Sequence, residues 1–151
     1  MVLRGLLEIC ALFTTLLPAL IVLRVWNSLP DEIPVKFHLS GYPGLWGSRA
    51  RIWIGPAVCA GGYALFSVCT GTWGWLMGSP AGALLPAAWT AVLTVEKPLI
   101  GLLTGYLVSM TARIARREAE AVNPWLYCAS ILLIVQMAPL TFVLIQTLTA
   151  R

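Results

Sequence analysis

Charge is scarce in this chain. Only 11% of its 151 residues are Asp, Glu, Lys or Arg, against about 25% in an ordinary soluble domain. There is one histidine, His38, and the four cysteines (Cys10, Cys59, Cys69 and Cys128) fall into neither a CxxC pair nor a zinc-type spacing. A haem or metal centre would therefore lack ligands. No nucleophile–base–orienter set can be assembled around a single imidazole. No phosphate-binding loop, dinucleotide-binding fingerprint or deaminase motif is present. The expectation is no catalytic residues, no cofactor, no metal and no nucleic-acid partner. The formal net charge of +4 belongs instead to helix ends, where basic residues set membrane topology.

Long uncharged runs take the place of charge: Ile9 to Leu23, Ile52 to Val95, Pro98 to Ala112 and Ala121 to Ala150. A bilayer core is spanned by about 20 apolar residues in helix, because helices satisfy their own backbone hydrogen bonds in lipid. Alternating strands of an outer-membrane barrel are missing. The first run has a thin basic start and no small-residue cleavage site, so it reads as a retained helix. The cysteines read as small apolar members of such helices.

The expected fold is all-α: one integral membrane four-helix bundle, with helices at about 5–26, 51–70, 86–112 and 124–148. Three helices plus a re-entrant segment is the alternative. Arg4 and Glu8 form an i,i+4 pair at the start of the first helix, and Pro18 lies within it. Arg24, Trp26 and Trp53 mark an interface. The stretch Gly71–Gly82, with Trp73, Trp75 and Pro80, reads as a turn with anchors. Gly101, Gly105 and Ser109 form a small-xxx-small stripe for close helix packing. Glu96 and Lys97 break the third apolar run. They lie about 25 Å along the axis from Arg113, which puts them near the far interface as topology and anchoring charges, with a buried intramembrane site as the sharper alternative. Past Arg113 the helix is expected to continue to Ala121, with Arg116 pairing Glu120. Arg113, Arg116 and Arg117 read as a basic flank or a site for anionic lipid heads. Asn123–Pro124 reads as an N-cap with proline at the first helical position. Pro139 sits mid-span in the last run, with Gln136 and Gln146 as its polar members.

The exception to all this grease is the loop 28–49, "SLPDEIPVKFHLSGYPGLWGSR". Ile33, Val35, Phe37 and Leu39 alternate with Pro34, Lys36, His38 and Ser40, a half-buried strand pattern. "SGYPG" is a turn and "LWGSR" a return. The expectation is a hairpin-like cap on the bundle, its apolar face inward and Lys36 and His38 in water. Such a cap either merely joins two helices or forms a stiff recognition surface.

The stretch "LPDEIPVKFHLSGYPGLWGSR" resembles the loop of the SdpI-like family of small bacterial membrane proteins, a helix–loop–helix region of unknown function. The family pattern is close to L-P-x-x-I-P-x-H-F-N-x-x-G-x-P-D-x-W-G-S-K. Leu29, Pro30, Ile33, Pro34, Phe37, Gly41, Pro43, Trp46, Gly47 and Ser48 match it, and Arg49 replaces its last basic residue. The resemblance covers roughly the first 55 residues. Lys36 stands where the family has histidine, His38 where it has asparagine, and Gly44 where it has aspartate. The scaffold is retained and its polar chemistry changed. The resemblance implies a multi-pass protein of the bacterial inner membrane, non-enzymatic, with a role in immunity to a membrane-active toxin and its sensing. Pro30, Pro34, Lys36, His38, Gly41, Pro43, Trp46 and Arg49 would then form a loop for a peptide or protein partner. The second expectation is an accessory subunit of a larger membrane complex. The basic residues Arg24, Lys36, Arg49, Arg51, Arg113, Arg116 and Arg117 place the loop on the cytoplasmic side, whereas the resemblance implies the outer face. The outer face is taken as the expectation.

Overall fold

The computed structural model describes residues 2–72 and 87–135. Four helices and one hairpin make up this part: α1 (Val2–Val25), β1 (Glu32–Phe37), β2 (Pro43–Ser48), α2 (Ile54–Cys69), α3 (Ala87–Ala115) and α4 (Pro124–Val135). Short 3-10 turns, Trp26–Ser28 and Arg49–Trp53, join the hairpin to α1 and α2. Three helices are long and apolar enough to cross a membrane, within Leu3–Ser28, Arg49–Cys69 and Thr90–Ala115. The described part of α4 is shorter and apolar. Residues 136–148 of the expected fourth helix, with Gln136, Pro139 and Gln146, lie outside the described residues. So do Trp73, Trp75 and Pro80.

The helices are built inside out relative to a soluble bundle. On α1 the exposed stripe is Leu6, Ile9, Phe13, Leu16, Leu20 and Leu23, whereas Glu8, Ala11, Pro18 and Val22 are buried. A 3.6-residue period sorts these residues onto two faces. An apolar outer face suits a lipid surround, since lipid tails are as apolar as leucine. Small inner residues bring backbones together. Cys59 and Cys69 are buried, Cys128 is half-buried and Cys10 lies on the outer face.

α1 and α3 run parallel, with α2 antiparallel to both. α1 and α3 come close at Gly101, where an added Cβ would lie 2.5 Å from the Thr14 carbonyl. Pro18 prepares that spot. It has no N–H to offer the carbonyl four residues back, so the Thr14 carbonyl is left to the neighbouring helix. One turn on, Gly105 meets Leu17 and Ile21, and Ser109 is half-buried.

α3 ends at Ala115, earlier than the expected Ala121. Arg117 adopts a left-handed conformation, φ 61°. Its N–H bonds the Ile114 carbonyl at 3.0 Å, and the Glu118 N–H bonds Arg113 at 2.8 Å. This is a Schellman cap, and it stops the helix without glycine. It also changes the expected ion pair: Arg116 meets Glu118 at 3.2 Å, because the chain no longer winds so as to bring residue 120 beside it. The N-terminus of α4 is as the sequence predicts. Asn123 Oδ1 accepts from the Trp125 N–H at 3.0 Å and the Leu126 N–H at 3.4 Å, with Pro124 first in the helix. α2 begins at Ile54, three residues later than expected, because Arg49–Trp53 forms a tighter turn whose start is held by Ser48.

Gly41 forms the hairpin's turn at φ +88°, and an added Cβ would collide with the Val122 carbonyl. Gly41→Ala should therefore cost about 2 kcal/mol or more from the left-handed backbone and the clash together. Gly61→Ala, where a Cβ meets nothing within 4 Å, should be neutral or stabilising by up to ~1 kcal/mol. Unfolding in detergent monitored by circular dichroism checks the pair. A midpoint unchanged in Gly41→Ala would contradict this account of the turn.

Candidate functional sites: a pinned hairpin and a buried ion pair

Two polar arrangements stand at opposite ends of the molecule. The first is the hairpin. β1 and β2 pair antiparallel, with Ile33 opposite Gly47, Pro34 opposite Trp46 and Phe37 opposite Pro43. The ladder slips on both sides of Lys36, where Val35 and Gly44 stand as extra residues. That slip changes the expected face. Ile33, Pro34 and Phe37 are buried and Val35 half-buried, but Leu39 sits in the turn, 71% exposed. A strict alternation could not foresee a bulge set by Pro34, which has no N–H for the ladder.

The buried side of the hairpin joins two clusters. Leu29, Ile33 and Ile52 pack with Val22 of α1 and Val108 and Ala112 of α3, and Phe37 packs with Ile114 and Val122. The turn is tied down as well. The Val122 N–H donates to the Gly41 carbonyl at 2.9 Å, and the Tyr127 hydroxyl donates to the Phe37 carbonyl at 3.1 Å. The rings of Phe37 and Tyr127 meet edge to face at 5.8 Å. The loop is thus fastened to the α3–α4 connection as well as to its own flanking helices.

The outer side carries the residues that the sequence singles out. Lys36, His38 and Pro30 are exposed, Pro43 is half-buried and Trp46 is 46% exposed. Pro34 and Gly41 are buried and act through the backbone. The Arg49 guanidinium lies 5.2 Å from the centre of the Trp26 ring, and Trp26 in turn faces Trp53, so Arg49 serves the junction with α1 and α2. Trp46 separates two shallow clefts that share Arg117. A spatial relation invisible in the sequence links two of the exchanged positions. A Cβ at Gly44 would lie 2.8 Å from His38 Nε2, so the imidazole fills the space that a side chain at residue 44 would need.

The second arrangement is near the other end. Lys97 is 2% exposed and Glu8 5%. Lys97 Nζ donates to Glu8 Oε1 at 2.7 Å, to Thr72 Oγ1 at 2.9 Å and to Thr70 Oγ1 at 3.1 Å. Thr72 also donates to Glu8 Oε1 at 2.8 Å. Lys97 Nζ lies 5.7 Å from the centre of the Tyr63 ring, and Arg4 Nη2 bonds the Thr70 carbonyl at 2.9 Å. The ammonium thus has three acceptors for its three protons. Glu8 Oε2 is buried and accepts no hydrogen bond from the described residues.

Glu8 lies sixteen positions before Arg24, and Lys97 the same distance before Arg113, about 24 Å along each helix. The pair is therefore about a turn inside the interface opposite the hairpin, for a core of about 30 Å. Axial distance alone placed Lys97 as an anchor. Its side chain turns inward instead, because Glu8 on α1 offers a counter-charge that a residue-by-residue depth estimate cannot see. Glu96, its sequence neighbour, is half-buried on a different side of the helix. Among the described residues no group of three His, Cys, Asp or Glu could hold a metal ion.

The hairpin half of this geometry has a counterpart among known sequences. Residues 13–60 match the model of DUF1648, a domain of unknown function. The matched span runs from the middle of α1 through the hairpin into α2 and covers less than half of the chain. It leaves out Glu8, Thr70, Thr72 and Lys97. No curated protein and no solved structure matches the chain.

Removing one member of the buried pair leaves the other charge stranded in an apolar surround. Lys97→Met or Glu8→Met alone should destabilise the fold by about 3–5 kcal/mol, and the double variant should regain most of that loss. A double-mutant cycle on thermal or denaturant unfolding in detergent checks it. Additive losses would mean that the two side chains do not act as a pair.

Proposed function

We propose that this chain is a non-enzymatic membrane protein of a bacterial inner membrane. Its hairpin presents a preformed surface to a peptide or protein partner, in the manner of SdpI-like immunity and sensing proteins. The observation that carries the reading is the combination of a hairpin backbone fastened at Gly41 and Phe37 with an outward side holding Lys36, His38, Leu39, Tyr42, Leu45 and Trp46. A connection that only joined two helices would not need its tip tied to a third and fourth. A stiff surface loses little conformational entropy when a partner arrives, and tryptophan is favoured at binding hot spots. The resemblance of the loop to the SdpI-like pattern and the DUF1648 match point to the same segment. Lys36, His38 and Gly44 differ from that pattern, so the partner here is one that meets a lysine and an imidazole where other members offer a histidine, an asparagine and an aspartate. On this reading the hairpin faces outward from the cell.

The test is extraction from the native membrane in mild detergent, then sizing and mass spectrometry of what stays bound. Trp46→Ala and the double variant Lys36→Ala/His38→Ala should release the bound peptide or protein while shifting stability by no more than about 0.5 kcal/mol for the exposed polar changes. A chain that elutes alone from native membranes, or that holds its partner with all three residues removed, would sink this reading. A stoichiometric large assembly lost on the same substitutions would make the chain an accessory subunit with the hairpin as its clamp.

A further inference from the structure

A groove of about 290 Å³ runs under the hairpin, between α2 and α4 and over the surface of α3. Its walls are largely apolar: Ile33 and Val35 from β1, Gly55 and Val58 from α2, Leu107 from α3. Most of this lining lies inside the stretches long and apolar enough to cross a membrane. Hydrocarbon is therefore the medium next to it. Gly55 lets Val108 approach closely, with 2.9 Å to an added Cβ, so the groove floor is tight.

One cation lines the groove. Arg51 stands at its hairpin end, in the turn that precedes α2, and is exposed. It makes no ion pair with any described residue. Arg24, Arg49, Arg113, Arg116 and Arg117 lie at the same end of the bundle, so the field around Arg51 is basic. The groove thus has an apolar trough at acyl-chain depth and a cationic head at the membrane surface. An amphiphile with an anionic headgroup matches both parts. A juxtamembrane cation contributes about 1 kcal/mol toward an anionic lipid, and the trough adds the packing of an apolar chain against side chains that otherwise face a void.

We propose that this groove is a seat for one anionic phospholipid, its phosphate on Arg51 and an acyl chain along Val58 and Leu107. The seat stands independently of any partner at the hairpin's outer side.

Native mass spectrometry of the full chain tests it, released from mixed micelles of phosphatidylglycerol and phosphatidylcholine. The wild-type chain should retain one phosphatidylglycerol in preference to phosphatidylcholine. Arg51→Gln should reduce that preference about fivefold, the equivalent of the ~1 kcal/mol expected of one such cation. Val58→Trp should fill the trough and remove retention of either lipid. Arg113→Gln takes away an exposed cation from the same end of the bundle that does not line the groove, and should lower the preference less than Arg51→Gln does. Equal retention of the two lipids by the wild type, or equal losses in Arg51→Gln and Arg113→Gln, would overturn the seat and leave only a diffuse basic surface. If Val58→Trp does not fold, the comparison of the two arginine variants still decides.

Discussion

The close approach of α1 and α3 at Gly101 is the contact on which the rest of the structure depends. With a side chain at residue 101, the Thr14 backbone would have to move away. At that spacing Glu8 and Lys97, near one end, come within hydrogen-bonding distance. Toward the other end the same contact brings Val22 beside Val108 and Ala112, which forms the floor on which Leu29 and Ile33 rest. In lipid, apolar burial offers little drive for helix association. Close backbone packing therefore carries a share of the stability that a soluble bundle would draw from leucine.

The hairpin and the ion pair are different solutions to one problem, polar groups at a membrane boundary. At the hairpin the backbone is satisfied by a ladder, by the Gly41–Val122 and Tyr127–Phe37 bonds and by the turns at each end. At the pair Lys97, Glu8 Oε1, Thr70 and Thr72 satisfy one another. A third polar feature is the set of arginines, Arg24, Arg49, Arg51, Arg113, Arg116 and Arg117, gathered at the hairpin end of the bundle.

Much of the fold was legible because its signals are local. Charge-free runs marked α1, α2 and α3, Asn123–Pro124 marked the start of α4, and the alternation from Ile33 marked β1. The spacing of Gly101 and Gly105 pointed to a packing stripe, although only the structure pairs Gly101 with the backbone left unbonded by Pro18. The misses are contacts between residues distant in sequence or departures from the usual residue types. Arg4 and Glu8 look like a helix-surface pair, yet Glu8 is taken by Lys97. Arg117 is not glycine, yet it closes α3 in a left-handed conformation. His38 and Gly44 read as two separate departures from a loop pattern, yet they share one space. The hairpin's exposed residues were readable as candidates. The threonines at residues 70 and 72 were not, since nothing in an apolar run with a glycine turn marks them as acceptors for a lysine on another helix.

The ion pair has a consequence for the order of biosynthesis. Glu8 and Lys97 are separated by 89 positions, and the amino-terminal partner is made first. At about 5–20 residues per second, the carboxylate of α1 waits on the order of ten seconds for its lysine. Throughout that interval Glu8 has no Lys97 to pair with, and burying it ionised would strand a charge. The arrival of α3 supplies the counter-charge. The docking of α3 against α1 is then partly electrostatic, because it closes the Glu8–Lys97 pair.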